Sequence, residues 1–73
     1  MKFKNKTELI TFIKHQTNID IKNDKSEPFN NKRNVLYTNL GSNESANTIK
    51  SLLNYNSIRY ENHTKNYYWI WIK

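Results

Sequence analysis

Apolar residues fall into two kinds of spacing along this chain. Between Thr7 and Gln16 they stand at Leu9, Ile10, Phe12 and Ile13, one stripe of a helix. Asn5 precedes the stripe as an N-cap, and Glu8, three residues on, is placed to reach back to it in a capping box. A second helical stripe is Ala46, Ile49, Leu52 and Leu53. Ser42 caps it, with Glu44 in the first turn, where the helix dipole favours negative charge. Asn54 and Asn56 are placed to end it, because Asn tolerates the left-handed cap conformation.

Elsewhere the apolar residues alternate by twos, the period of a strand. Lys2-Phe3-Lys4 reads as a short edge strand, and Asn18–Asn23 alternates through Ile19 and Ile21. Asn34–Leu40 holds Val35, Leu36 and Tyr37 and is broken by Gly41. Ser57–Asn62 puts Ile58 and Tyr60 on one side and Arg59 and Glu61 on the other. Tyr67–Ile72 is the strongest strand. His63–Asn66 reads as a turn; residues 24–33, aperiodic and holding Pro28, read as a flexible loop that Phe29 can pin to the core.

The order is (β)αββαββ, an α+β fold. The expected architecture is a two-layer sandwich: two helices packed on one face of a four- to five-stranded, mostly antiparallel sheet, in one domain spanning 1–73.

The last hairpin carries the chemistry. Tyr68, Ile70 and Ile72 share one face of the final strand; Tyr67, Trp69 and Trp71 share the other. A three-residue loop, Thr64-Lys65-Asn66 with Asn66 left-handed, sets Ile58 opposite Ile72 and Tyr60 opposite Ile70. Arg59 then lies opposite Trp71 and Glu61 opposite Trp69. This register separates apolar from amphipathic residues more cleanly than a two- or four-residue loop would. The candidate binding residues are therefore Tyr67, Trp69, Trp71, Arg59, His63 and Lys65. Rings beside cations can stack unpaired bases, but strand aromatics also form a second core layer or a dimer seam. Trp69, at mid-strand, is expected to be the more covered of the two tryptophans.

Composition changes this picture in two ways. The net charge of +6 points to an acidic partner, nucleic acid above all. Yet Asn, Lys, Ile, Tyr and Phe, all read from AT-rich codons, make up more than half the chain, so codon bias accounts for part of the lysine excess. The absence of Cys excludes disulfides and thiolate metal sites and fits a reducing compartment. Lys2, Lys4 and Lys6 are followed only by the short run Leu9–Ile13, ended by Lys14. A secretion signal carries about 7–15 apolar residues there. A cytoplasmic protein with no membrane segment is expected.

Catalytic patterns are lacking. His15 and His63 have no companions at metal-ligand spacing; Asp20, Asp24 and Glu61 do not pair; the lone Gly41 makes no phosphate-cradling loop. Backbone amides at Ser42-Asn43-Glu44 could hold an anion, although capping accounts for Ser42 equally well. One stretch resembles the first strand–helix–strand unit of a glutaredoxin: Val35-Leu36-Tyr37-Thr38, Gly41-Ser42-Asn43-Glu44-Ser45, Leu52-Leu53, then Ile58-Arg59-Tyr60-Glu61. That family's two cysteines would fall on Ser42 and Ser45, and serine cannot perform disulfide exchange, so no redox function is carried over.

The expectation is a small basic nucleic-acid-binding or regulatory protein, not an enzyme, with no cofactor and no metal. Its partner would be nucleic acid, single-stranded for preference. The alternative is a mobile-element protein, from a phage or plasmid, that inhibits or adapts a host protein through the same aromatic face. A homodimer through that face is a further alternative.

Overall fold

A computed structural model of the chain describes residues 2–25 and 34–72. Helix α1 spans Lys6–Thr17. Its first turn is closed by Asn5, whose Oδ1 accepts from the Glu8 N–H at 3.0 Å. Glu8 reaches back one residue further than a standard capping box, accepting from the Lys4 N–H at 3.0 Å. The helix ends at Asn18, left-handed at φ 61°, whose N–H donates to the Lys14 carbonyl at 2.8 Å.

That cap removes the strand expected over Asn18–Asn23. Thr17 Oγ1 accepts from the Ile19 N–H at 3.2 Å, turning the chain. Ile21 is then buried and Ile19 half-buried against the core, with no ladder formed. The Asp24 N–H meets the Tyr37 carbonyl at 2.7 Å. Lys2-Phe3-Lys4 is not a strand either. The Phe3 N–H donates to the Ile72 carbonyl (3.1 Å), but the Asn5 cap leaves no length for a ladder. Phe3 instead buries its ring beside Phe12, centroids 5.4 Å apart. Most of the expected loop at 24–33, with Pro28 and Phe29, lies outside the described residues.

Strand β1 (Val35–Asn39) ends where Gly41, at φ +85°, turns the chain and donates its N–H to Asn39 Oδ1 at 2.7 Å. Helix α2 (Asn43–Tyr55) starts on Ser42, whose Oγ accepts from the Ser45 N–H at 3.2 Å. It ends at Asn56, one of the two residues expected to end it, but without the left-handed conformation. Asn56 keeps an ordinary φ of −97° and donates its side-chain amide to the Leu52 carbonyl at 2.9 Å; Ser57 takes the left-handed position at φ 57°.

Strands β2 (Tyr60–Thr64) and β3 (Tyr67–Trp71) form the hairpin. Among the described residues the sheet has three antiparallel-paired strands in the order β1-β3-β2, rather than the four or five expected. Leu36 and Tyr60 both lie opposite Ile70, so the last strand of the chain is the middle of the sheet. Two helices cover one face. From α1 come Leu9 and Ile13, from α2 Ala46, Ile49 and Leu53, and from the sheet Leu36, Tyr68, Ile70 and Ile72. Ile58 joins them, as the cleaner hairpin register requires.

The connection between β2 and β3 is a two-residue turn at Lys65-Asn66, and Lys65, not Asn66, is left-handed (φ 47°). The expected register survives because β2 carries an extra residue: Asn62 lies opposite Tyr68 but Thr64 opposite Tyr67. A bulge at His63 thus replaces the third loop residue. Asn62 secures it, its side-chain amide donating to the carbonyls of Lys65 (3.0 Å) and Tyr67 (3.1 Å).

Two substitutions test this packing. A domain of this length is held by about 4–11 kcal/mol. Ile70→Ala should cost about 2–5 kcal/mol, because Ile70 is fully buried in the core cluster. Thr38→Val should instead stabilise by about 1 kcal/mol, since Thr38 is fully buried and its Oγ1 has no hydrogen-bond partner. Urea unfolding of the two variants checks both signs.

Candidate functional site

The face of the sheet opposite the helices is built by alternation. From β1 it takes Val35, Tyr37 and Asn39, and from β3 their partners Trp71, Trp69 and Tyr67. From the third strand and its approach come Glu61, opposite Trp69, and Arg59, whose carbonyl accepts from the Trp71 N–H at 2.9 Å. Tyr67, Trp69 and Trp71 are all half-buried.

Tyr37 is the centre of the cluster and only 5 % exposed. Its ring stacks on Tyr67 (centroids 5.3 Å, planes 19° apart) and tilts against Trp69 at 4.5 Å. Its hydroxyl lies 2.8 Å from His63 Nδ1. Tyr37 and His63 belong to opposite edge strands, so this bond crosses β3 between Tyr67 and Trp69. His63 also approaches Trp69 at 6.1 Å. The bulge carries His63 into this cluster: a turn residue in the sequence reading, it is a strand residue facing the aromatic ring row.

Sequence reasoning missed Tyr37. Its alternation with Val35 and Asn39 was legible, but which strand lies beside β1, and therefore which rings share its face, depends on the strand order.

Arg59 sits over Trp71, guanidinium carbon 4.0 Å from the ring centroid, and pairs with Glu61 at 3.2 Å. Both side chains are well exposed, so the ion pair itself adds little stability. It does make this end of the face locally neutral. Lys65 stands exposed in the turn leading into Tyr67. Among the six expected binding residues, five therefore meet in one face, and Lys65 flanks it.

Other cations lie elsewhere. Lys4, Lys6 and Lys25 line an open cleft of about 610 Å³ beside the start of α1. Partial burial there, and secondarily the charge of Lys25, lower the Lys6 ammonium below its ordinary value. Lys50 lies 5.8 Å from the Tyr68 ring on the helix side, and Lys14 pairs with Asp20 at 3.0 Å.

The serines that the glutaredoxin resemblance singles out are cap residues, 3.3 Å apart between hydroxyl oxygens. Moreover β3 lies between β1 and β2, which that resemblance would make neighbours. Among the described residues no three His, Asp or Glu side chains gather as a metal site, and no helix is long and apolar enough to cross a membrane. Comparison with protein-family models, with curated proteins and with solved structures gave no match.

The half-burial of the rings predicts intermediate costs. Trp69→Ala and Trp71→Ala should each destabilise by about 1–3 kcal/mol, below the ~3–5 kcal/mol of a fully buried ring, with Trp69 the costlier because it packs on Tyr37 and His63. Thermal melts at two protein concentrations check this and expose any dimer seam as concentration dependence. A second prediction concerns pH. The folded state binds the Lys6 proton more weakly than the unfolded state does, so the contribution of Lys6 to stability rises as pH climbs from the lowered value towards 10.5. Relative to Lys6→Gln, the parent should gain stability across that window in urea titrations.

Proposed function

We propose that this chain is a small binding protein, without catalytic activity, whose open sheet face takes an unpaired stretch of nucleic acid. The observation that supports it is the row Tyr67, Trp69 and Trp71, partly exposed at alternate positions of the central strand, with the Arg59 guanidinium laid over Trp71. Every base has a ring face, so such a row binds unpaired bases with little sequence preference, each stacked base contributing about 1–3 kcal/mol. A duplex hides its base faces and offers only its edges and phosphates.

One observation favours a second reading. The Arg59–Glu61 pair leaves the ring row nearly neutral, and Trp, Tyr and Arg are also the residues that dominate protein–protein hot spots. In that reading the chain is an inhibitor or adaptor of a host protein, made by a mobile element with AT-rich codons. Both readings use the same face and place the protein in the cytoplasm.

Titration of tryptophan fluorescence with single-stranded and duplex oligonucleotides decides between them. Quenching by single strands, weaker by duplex, and lost in Trp71→Ala is the expected result. Absence of quenching by any oligonucleotide, together with a partner retained from host lysate after nuclease treatment, would replace the first reading with the second.

A further inference from the structure

A side-chain hydrogen bond ties β2 to β1 although β3 lies between them. Its two ends are held unequally. Tyr37 is fixed: it is buried, its ring packs on Tyr67 and Trp69, and its carbonyl accepts from the Asp24 N–H at 2.7 Å. His63 belongs to an edge strand whose residues from Glu61 to Thr64 are all exposed. It is also the extra residue of the bulge, so the register gives it no partner on β3. Its ring is joined to the cluster by Nδ1, 2.8 Å from the Tyr37 hydroxyl, and by ring contacts with Tyr37 at 5.4 Å and Trp69 at 6.1 Å.

Proton chemistry sets the direction of this bond. A phenol is the better proton donor of the two groups, and an imidazole nitrogen the better acceptor. The bond is therefore strongest from the Tyr37 O–H to an unprotonated Nδ1, with the His63 proton on Nε2. An imidazolium carries a proton on both nitrogens and accepts nothing. To keep the contact, the Tyr37 hydroxyl would have to turn round and accept. A phenol oxygen, conjugated with its ring, is a poor acceptor beside the water open to an exposed imidazole. We infer that the Tyr37–His63 bond is an acid-sensitive clasp, closed on neutral His63 and released when His63 gains its proton, so that the bulge of β2 comes away from Tyr37 and Trp69. Release uncovers ring surface at the middle of the aromatic face, whatever partner that face takes. Among the described residues, the other ionisable groups around the clasp are Glu61 and Arg59, paired at 3.2 Å, Tyr67 on β3, Lys65 in the turn and Asp24 at the outer edge of β1. The helices lie behind the sheet.

NMR of the intact chain reads the proton positions directly. At pH about 8, where imidazoles are neutral, His63 should show a bare Nδ1, a proton on Nε2 and ring contacts to Tyr37. At pH about 5 those contacts should be lost while the cross-strand contacts of β3 persist. A proton on Nδ1 in the neutral ring, or unchanged contacts in the imidazolium, would overturn the clasp. Urea unfolding gives an independent reading. Tyr37→Phe keeps the ring and removes the hydroxyl. It should raise the unfolding constant about fivefold at pH about 8, the contribution of one hydrogen bond, and less than about twofold at pH about 5. In His63→Asn, Oδ1 replaces Nδ1 as an acceptor and has no proton to gain in this range, so there Tyr37→Phe should cost the same at both pH values. An equal cost at both pH values with His63 present would show that the imidazolium keeps the bond as a donor. An equal fall in the His63→Asn background would assign the pH effect to Glu61 or Asp24. Either result overturns the inference and leaves the stacking reading untouched.

Discussion

The structure depends on one strand being central. β3 is the last element of the chain, yet it pairs with β1 on one side and β2 on the other. Ile70 is where the constraints meet: it is fully buried and lies opposite both Leu36 and Tyr60. A chain this short, without disulfides, has little apolar surface to spare. Its middle strand must therefore serve both layers. Ile70, Ile72 and Tyr68 close the helix-covered core, while Tyr67, Trp69 and Trp71 stabilise the opposite face by packing on Tyr37, His63 and Arg59. The same rings that hold the open face together are those it offers to a partner.

The bulge in β2 links this packing to the candidate site. A two-residue turn suits the twist of a hairpin, but on its own it would shift the register by one and turn Ile58 and Tyr60 away from the core. The extra residue at His63 cancels that shift. It also brings an imidazole within 2.8 Å of the Tyr37 hydroxyl, across the central strand. A device required for register thus orders the aromatic cluster as well.

Among the described residues most cations lie apart from the rings. In the sequence the +6 charge and the aromatic strand together suggest one basic, ring-bearing surface. In the fold, Lys4, Lys6 and Lys25 line a cleft beside α1, while Arg59 is neutralised beside Trp71 by Glu61. The proposal of recognition by stacking therefore rests on the rings, and overall charge contributes long-range attraction more than contact.

By itself the sequence determined what local chemistry can determine. It specified both helices, because Asn5 and Ser42 are caps followed by apolar stripes of helical period. It specified the α+β class, and the division of Tyr67–Ile72 into an apolar and an aromatic face, because a strand's side chains alternate whatever lies around them. It overstated the strands. The alternation in Asn18–Asn23 is real, but Asn18 caps α1 and the isoleucines find the core without a ladder. Tertiary structure alone decided the strand order, and with it the presence of Tyr37 among the rings and the contact of Tyr37 with His63. Those partners are separated by 26 residues of chain or more and meet only because β3 inserts between β1 and β2. No local propensity encodes that choice: it follows from which arrangement buries Ile70 and Leu36 under both helices at once.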